Sequence, residues 1–355
     1  MKKILIFTIN TDDNFGNRLQ NYAVQETFKK YNLMAETVLN CHHLTQIRYL
    51  IKYPKKIAKK FLFFKPKFAR RNKFVNFDKK YIKKSKYNIY KNNIPKKILQ
   101  EYDYYVTGSD QVWNPNFGRT SDIDFLTFLP KEKRNAISAS FGISDIPEIY
   151  KERYKKNLSE MNLISVREDR AKEIIEELTG RKDVEVLVDP TMLLTANEWD
   201  KIAKKPTKLK KKKYILNYYL GEMSEERKNI INKVANENNC EIINLMNERD
   251  SLYASGPSEF LYLIKNAFLV CTDSFHGVVF SIIYNTPFVI FNRKDKNNNM
   301  NSRIDTLLNK FNLQYRKFNG KIEKEIFKSN YDDTLKILES EQDKSKRFIE
   351  KILNN

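Results

Sequence analysis

The chain of 355 residues is short of glycine, cysteine, histidine and long apolar runs, and each shortage excludes something. Its three cysteines, Cys41, Cys240 and Cys271, are odd in number and far apart, so no disulfide framework is expected and the thiols fit a reducing cytoplasm. No stretch is apolar enough to span a bilayer, since the best one, Phe268 to Phe291, is interrupted by Asp273, His276, Asn285 and Pro287. The N-terminus does not read as a signal peptide. Lys2 and Lys3 precede an apolar run, but that run is short, contains Thr8 and stops at Asn10-Thr11-Asp12-Asp13. The sequences G-x-x-x-x-G-K-[ST] and G-x-G-x-x-G are absent, which removes the usual nucleotide fingerprints. With three histidines no Ser-His-Asp order can be argued. Only nine glycines are available, so each is expected to mark a place where the backbone needs one.

Charge is abundant instead. With 41% apolar and 31% charged residues the chain is too hydrophobic for disorder, and its length suggests two domains of ordinary size. The net charge of +21 invites a nucleic-acid reading, with a Lys- and Asn-rich genome bias as the bland alternative. Location separates them. Residues 45–100 carry 19 Lys/Arg against one acid, Asp78, and interleave eleven aromatics, among them Phe61, Phe63, Phe64, Phe68, Phe74, Phe77 and Tyr81. Lys204–Lys213 holds seven lysines in ten residues and reads as an exposed linker or loop near a domain boundary. Outside these two segments the net charge is −4, so two basic patches sit on a near-neutral body. That pattern favours a local contact with an anionic surface or precursor. No nucleic-acid motif appears, and no nucleic-acid partner is expected.

The apolar pattern alternates strand and helix. Ile4–Ile9 predicts a buried first strand, Asn14-Phe15-Gly16-Asn17 a loop, residues from about Arg18 to Tyr31 a helix, and Glu36–Leu39 a second strand. Residues 45–100 are expected as helices. Strands follow at Tyr102–Thr107, Asn135–Ser140, Leu163–Val166 and Val184–Val188, with a capped helix over Asp169–Thr179 before Gly180. A second alternation runs from Tyr214–Tyr218 to Phe288–Phe291. The expected fold class is α/β: two Rossmann-like domains facing a central cleft, with residues 1–200 as the first domain, 45–100 as a basic-aromatic insertion in it, 201–320 as the second domain and 321–355 as C-terminal helices.

Five polar clusters fall where strands are predicted to end: Asn14–Asn17, Gly108-Ser109-Asp110-Gln111, Phe141-Gly142, Arg167-Glu168-Asp169 and Thr272–Gly277. Four hold a glycine, which is also what tight strand-to-helix turns need. His276 precedes a predicted helix beginning at Gly277, where N–H groups and the dipole favour an anion and a histidine can act as acid or base; the alternative is a capping or core histidine. Arg167 ends an apolar strand and can point outward to grip a carboxylate or phosphate, or it pairs with Glu168 or Asp169. Asp110 can be an acid, a base or a hydroxyl-orienting group, or a cap. Cys41-His42-His43 is too contiguous to converge on one metal ion, and Asp122-Ile123-Asp124 resembles a metal-binding DxD that chance also supplies.

Taken in order, Asn14-Phe15-Gly16-Asn17 with Gln20-Asn21-Tyr22-Ala23, Gly108-Ser109-Asp110-Gln111-Val112-Trp113-Asn114, Ser165-Val166-Arg167-Glu168, Val188-Asp189-Pro190 and Thr272-Asp273-Ser274-Phe275-His276-Gly277 resemble the polysaccharide pyruvyl transferase family over about residues 1–315. The resemblance implies a GT-B-like fold and transfer of a pyruvyl group from phosphoenolpyruvate to a sugar of a cell-surface polysaccharide or its lipid-linked precursor, as a ketal. It implies His276 as the catalytic histidine, Arg167 as the donor clamp and Asp110 as a carboxylate near the acceptor. Asn14, Gly16, Asn17, Gly108, Ser109, Gln111, Ser274, Phe275 and Gly277 are the expected substrate-binding residues. No metal or cofactor is called for. Some members carry Arg-Leu where this chain has Ser274-Phe275, which leaves Arg303 or Lys294 as substitutes, or a different donor. The expected location is cytoplasmic, on the inner membrane face, with residues 45–100 meeting anionic lipid or else forming a solvated helical surface over core aromatics. The competing readings are a GT-B glycosyltransferase using a nucleotide-sugar donor and a non-catalytic binding module built on the basic segment.

Overall fold

A computed structural model describes residues 1–9, 13–41, 66–90, 93–118, 120–210, 212–293, 302–329 and 332–354. His42, His43, Lys294, residues 45–65 and residues 91–92 lie outside these. The chain forms two compact units, one of Met1–Phe63, Asp78–Leu193 and Ser340–Asn355, the other of Phe64–Phe77 and Leu194–Glu339.

The first unit is built on seven parallel strands: β1 (Lys3–Phe7), β2 (Met34–Cys41), β3 (Lys84–Tyr90), β4 (Tyr104–Thr107), β5 (Asn135–Ala139), β6 (Ile164–Val166) and β7 (Glu185–Val186). Their order is β3-β2-β1-β4-β5-β6-β7, so the winding reverses between β1 and β4. Side chains alternate across a strand, and both faces are covered. Ile4 and Ile6 pack with Val24 and Phe28, while Leu5 and Phe7 pack with Val38, Ile89 and Tyr105. That two-sided burial is why β1 reads as a continuous apolar run.

Helix α1 (Phe15–Lys29) connects β1 to β2. Buried polar side chains brace it: Gln25 donates to Thr37 Oγ1 at 2.8 Å and to the Lys83 carbonyl at 2.9 Å, and Oδ1 of the motif residue Asn21 accepts from Thr37 Oγ1 at 2.6 Å. β3 was hidden by its lysines. Lys84 and Lys86 point to solvent while Ser85, Ile89 and Tyr90 are buried, as on a charged edge strand. The all-helical expectation for residues 45–100 is therefore wrong at β3.

Helix α2 (Pro66–Tyr81) begins in the second unit and ends in the first. Phe74 and Phe77 are buried, so these two aromatics are core and do not face a lipid surface. Arg70 donates to the carbonyls of Leu245 and Tyr253 at 3.3 and 3.1 Å, and Lys73 pairs with Glu259 at 2.5 Å, tying the start of α2 into the second unit. The first unit also holds α3 (Ile98–Glu101), α4 (Glu148–Ser159) and α5 (Asp169–Thr179), the last closed by Gly180 at φ 75°.

The second unit starts with α6 (Ala196–Asp200) and carries four parallel strands, β8 (Tyr214–Tyr218), β9 (Glu241–Asn244), β10 (Leu269–Thr272) and β11 (Phe288–Ile290), in the order β11-β10-β8-β9. Winding here reverses between β8 and β10. Helix α7 (Glu225–Glu237) packs Ile231 and Val234 on one face with Tyr219, Cys271 and Phe291. Helices α8 (Pro257–Lys265) and α9 (Phe275–Ile283) cover the other, where Tyr218, Phe260, Phe280 and Trp199 make a chain of edge-to-face rings. Helix α10 (Ser302–Lys310) follows. Within α11 (Asp332–Asn354), Phe348, Ile349 and Ile352 join the β1 core of the first unit.

Candidate active site

In the first unit the candidate residues gather at the carboxyl ends of the strands around the reversal point. Asn14 is the N-cap of α1, its Oδ1 accepting from the Asn17 N–H at 3.2 Å. The predicted Asn14–Asn17 loop is thus a cap followed by the first helical turn, because Phe15 enters the core and pulls the helix start forward. Gln20 Nε2 donates to Thr8 Oγ1 at 2.8 Å, and Thr8 Oγ1 donates to the Ser109 carbonyl at 3.1 Å, joining the ends of β1 and β4. Gly108 has φ 106°, and a Cβ there would lie 2.3 Å from the Ile137 carbonyl oxygen, so only glycine fits. The Gly108–Ser109 peptide is cis, and Asp110 is left-handed at φ 71°. Gly142, at φ 64°, leaves the space that the Gln111 side chain fills, and Gln111 Oε1 accepts from Asn114 Nδ2 at 2.7 Å.

Arg167 stands at the centre of this edge with no exposed side-chain surface. Its Nη1 meets Asp189 Oδ2 at 2.7 Å, its Nη2 meets Asp110 Oδ1 at 3.3 Å, and its Nε lies 3.9 Å from Glu168 Oε2. Burial works against the charge, but the Asp189, Asp110 and Glu168 carboxylates outweigh it and the guanidinium pKa is raised. Three carboxylates around one cation need further donors, and the fold supplies them. Asp189 Oδ2 also accepts from Ser109 Oγ at 2.9 Å, and its Oδ1 accepts from the Thr191 hydroxyl at 2.7 Å and N–H at 3.0 Å. Glu168 Oε1 accepts from Ser140 Oγ at 2.8 Å and from the N–H groups of Phe141 and Gly142 at 3.1 and 3.3 Å. Asp110 Oδ1 accepts from the Gln111 N–H at 2.8 Å, while its Oδ2 is buried and makes no hydrogen bond. That oxygen can accept from a substrate hydroxyl. The expected outward reach of Arg167 is not how the side chain sits: it is buried and paired with Asp110 and Asp189. Glu168 is one of its partners, as the structural alternative had it, but the nearest is Asp189.

In the second unit the candidates follow β10. Thr272 Oγ1 donates to the Tyr218 carbonyl at 2.6 Å and accepts from the Ser274 N–H at 3.0 Å, shaping the turn into α9. A Cβ on Gly277 would sit 2.5 Å from Thr272 Oγ1, so glycine allows the helix to start against the strand. Helix α9 begins at Phe275, which places His276 inside its first turn and not ahead of it. His276 is 7% exposed, with Phe275 edge-on at 5.3 Å between ring centres. Arg303, from α10, lies with its guanidinium carbon 5.9 Å over the Phe275 ring. The Ser274 hydroxyl adjoins the Tyr218 phenol, whose pKa burial pushes up to about 12. Asp273 accepts from the Leu220 and Gly221 N–H groups at 2.7 and 2.8 Å, with Arg293 Nε at 3.5 Å, and so pins the β8 loop to the β10 loop.

The weaker motif has structural duties. Asp122 pairs with Arg153 at 2.7 Å, and Asp124 Oδ2 accepts from the Ser121 N–H at 2.7 Å. Among the described residues no group of three or more His, Cys, Asp or Glu is placed to hold a metal ion, and no helix is long and apolar enough to cross a membrane.

Known proteins share this architecture. The UDP-GlcNAc 2-epimerase of Neisseria meningitidis, solved with UDP-GlcNAc bound, matches all of both chains at 12% identity and a TM-score of 0.53. A glycosyltransferase from Rickettsia africae matches at 10% identity and a TM-score of 0.51, covering 100% of this chain and 99% of its own. The UDP-N-acetylglucosamine 2-epimerase of Rickettsia bellii matches at 13% and 0.51, covering 98% of this chain and 96% of its own. At such identities the likeness is one of fold, and it is that of GT-B-like α/β proteins. No curated protein matches the sequence. Residues 14–295, which hold every candidate above outside Arg303, match the family described as polysaccharide pyruvyl transferase, and the chain belongs to that family.

Proposed function

We propose that the protein transfers the pyruvyl group of phosphoenolpyruvate to a sugar of a polysaccharide or its lipid-linked precursor and closes it as a ketal. The observation that carries this reading is His276 in the first turn of α9, edge-on to Phe275, which in turn lies under Arg303, within a chain of the pyruvyl transferase family. His276 gives a proton to the methylene carbon, making a methyl group and an oxocarbenium-like centre. A sugar hydroxyl adds to that centre and its proton passes to Asp110 Oδ2. The bond between that carbon and the phosphate oxygen then breaks, phosphate leaves with the proton taken up by Asp110, and a second hydroxyl adds to the same carbon, its proton returning to His276 as the ketal closes. Arg167 acts by fixing Asp110, and the donor's negative charge is met by the α9 N-terminus and Arg303, which stands in for the arginine missing at Ser274.

Purified protein given phosphoenolpyruvate and candidate sugars is expected to release phosphate, and His276→Ala to lower the rate by roughly 100-fold or more. Unchanged turnover in that variant would remove His276 from the chemistry. The second reading, a nucleotide-sugar donor, draws on the epimerase solved with UDP-GlcNAc. It predicts thermal stabilisation by UDP-sugars and indifference to phosphoenolpyruvate.

A further inference from the structure

The edge of the second sheet holds a cation that this scheme leaves unused. Arg227 lies in the first turn of α7, the helix that leaves β8 where the winding reverses, and it is 7% exposed. Its Nη2 donates to the Asn292 carbonyl, just past β11, at 2.5 Å. Its guanidinium carbon lies 5.5 Å over the Phe291 ring. Its Nη1 is buried and makes no hydrogen bond among the described residues. The described acidic groups around it are otherwise engaged or turned away. Asp273 is taken by the Leu220 and Gly221 N–H groups and by Arg293, Glu225 pairs with Lys228, and Glu222 and Glu226 are exposed.

Among the described residues this buried guanidinium meets a single carbonyl and no carboxylate, which is costly, and an anion removes that cost. Two further features favour an anion. The first turn of a 13-residue helix presents the positive end of its dipole, and the reversal point of an open parallel sheet is where such folds take ligands. Helices α7 and α9 leave this edge on opposite faces of the sheet. We propose that Arg227 is a phosphoryl-binding residue, its Nη1 donating to a phosphate oxygen of the ligand held between β8 and β10. This rests on the reading above only for the ligand being phosphoenolpyruvate; a nucleotide diphosphate offers the same chemistry.

The test is thermal stabilisation of the full chain by inorganic phosphate, phosphoenolpyruvate and UDP, in the wild type, Arg227→Met and Arg227→Lys. Phosphate and phosphoenolpyruvate are expected to stabilise the wild type. Arg227→Met should weaken phosphate binding about tenfold or more, and Arg227→Lys less. Without anion Arg227→Met should melt no lower than the wild type, since an unpaired buried charge has gone. The KM for phosphoenolpyruvate should rise by a similar factor. Phosphate affinity unchanged in Arg227→Met, or a phosphate-free melting point that falls while the phosphate response survives, makes Arg227 a brace for the Asn292 carbonyl and overturns the proposal. Should Arg227→Met not fold, unchanged affinity in Arg227→Lys overturns it equally. An Arg227-dependent response to UDP and none to phosphoenolpyruvate upholds this site and sinks the donor assignment instead.

Discussion

Arg167 and its three carboxylates behave as one unit, because each group's burial is offset only by the others. Desolvation of a buried ion pair can exceed its Coulomb gain, so the pair is worth most when every remaining lone pair has a donor. Here the hydroxyls of Ser109, Ser140 and Thr191 and four backbone N–H groups supply most of those donors, with Asp110 Oδ2 left over. Asp189→Asn keeps the shape and removes the charge nearest the guanidinium. It is expected to lower unfolding stability by roughly 3 kcal/mol, read as a lower urea midpoint. A midpoint equal to the wild type's would show that Asp189 contributes only its shape. At this scale the sequence shows which residues matter but not their partners. Arg167 and Asp110 stand out because they follow apolar strands at turns. Their contact spans 57 positions, and that of Arg167 with Asp189 spans 22, with nothing local to announce either.

At the scale of the element, starts and edges carry the differences. Asn14 looks like part of a loop, yet its side chain caps α1 and so fixes where that helix begins. Asn14→Ala should cost about 1 kcal/mol, and Asn14→Ser should restore most of it; equal stability in the alanine variant would mean the cap adds nothing. Asn14 also sits beside the β1–β4 reversal, so the loss should loosen the Thr8–Gln20–Ser109 link as well. Helix α9 likewise starts before the glycine that marks it, since Phe275 is buried and Thr272 already shapes the turn. Strand β3 shows the opposite case. Its lysines obey the rule for a sheet edge, and that rule gives composition more like a solvated helix than like a buried strand. Tight apolar strands such as β1 and β8 were legible because both faces are buried and their residues must be apolar throughout.

At the scale of the molecule, two parallel sheets place many tyrosines inside. Tyr102, Tyr105, Tyr154, Tyr214, Tyr218, Tyr219 and Tyr284 all have their pKa raised, chiefly by burial, to about 12 for Tyr105 and Tyr218. The folded state keeps these phenols neutral, whereas an unfolded chain ionises them near pH ~10. Their contribution is therefore complete below about pH 10 and is lost as the pH rises through the folded values. The urea midpoint should fall steadily above pH ~10, with much of the tyrosinate absorbance appearing together with loss of the fold. Smooth titration of every tyrosine in an intact fold would contradict the burial.

By itself the sequence determined the α/β class, the order of its elements outside β3, and the family, because strand and helix periods are local and the motifs follow strand ends. It also placed the basic charge in segments. The tertiary structure alone decided strand order, and with it the two reversal points. There, residues far apart in the chain become partners, as Asp110, Arg167 and Asp189 do, or Leu220, Gly221 and Asp273. It also decided that Phe64–Phe77 joins the second unit and Ser340–Asn355 the first. Such choices depend on which apolar face buries which, and that is a property of the packed whole, since local periodicity records that a face is apolar and not what covers it.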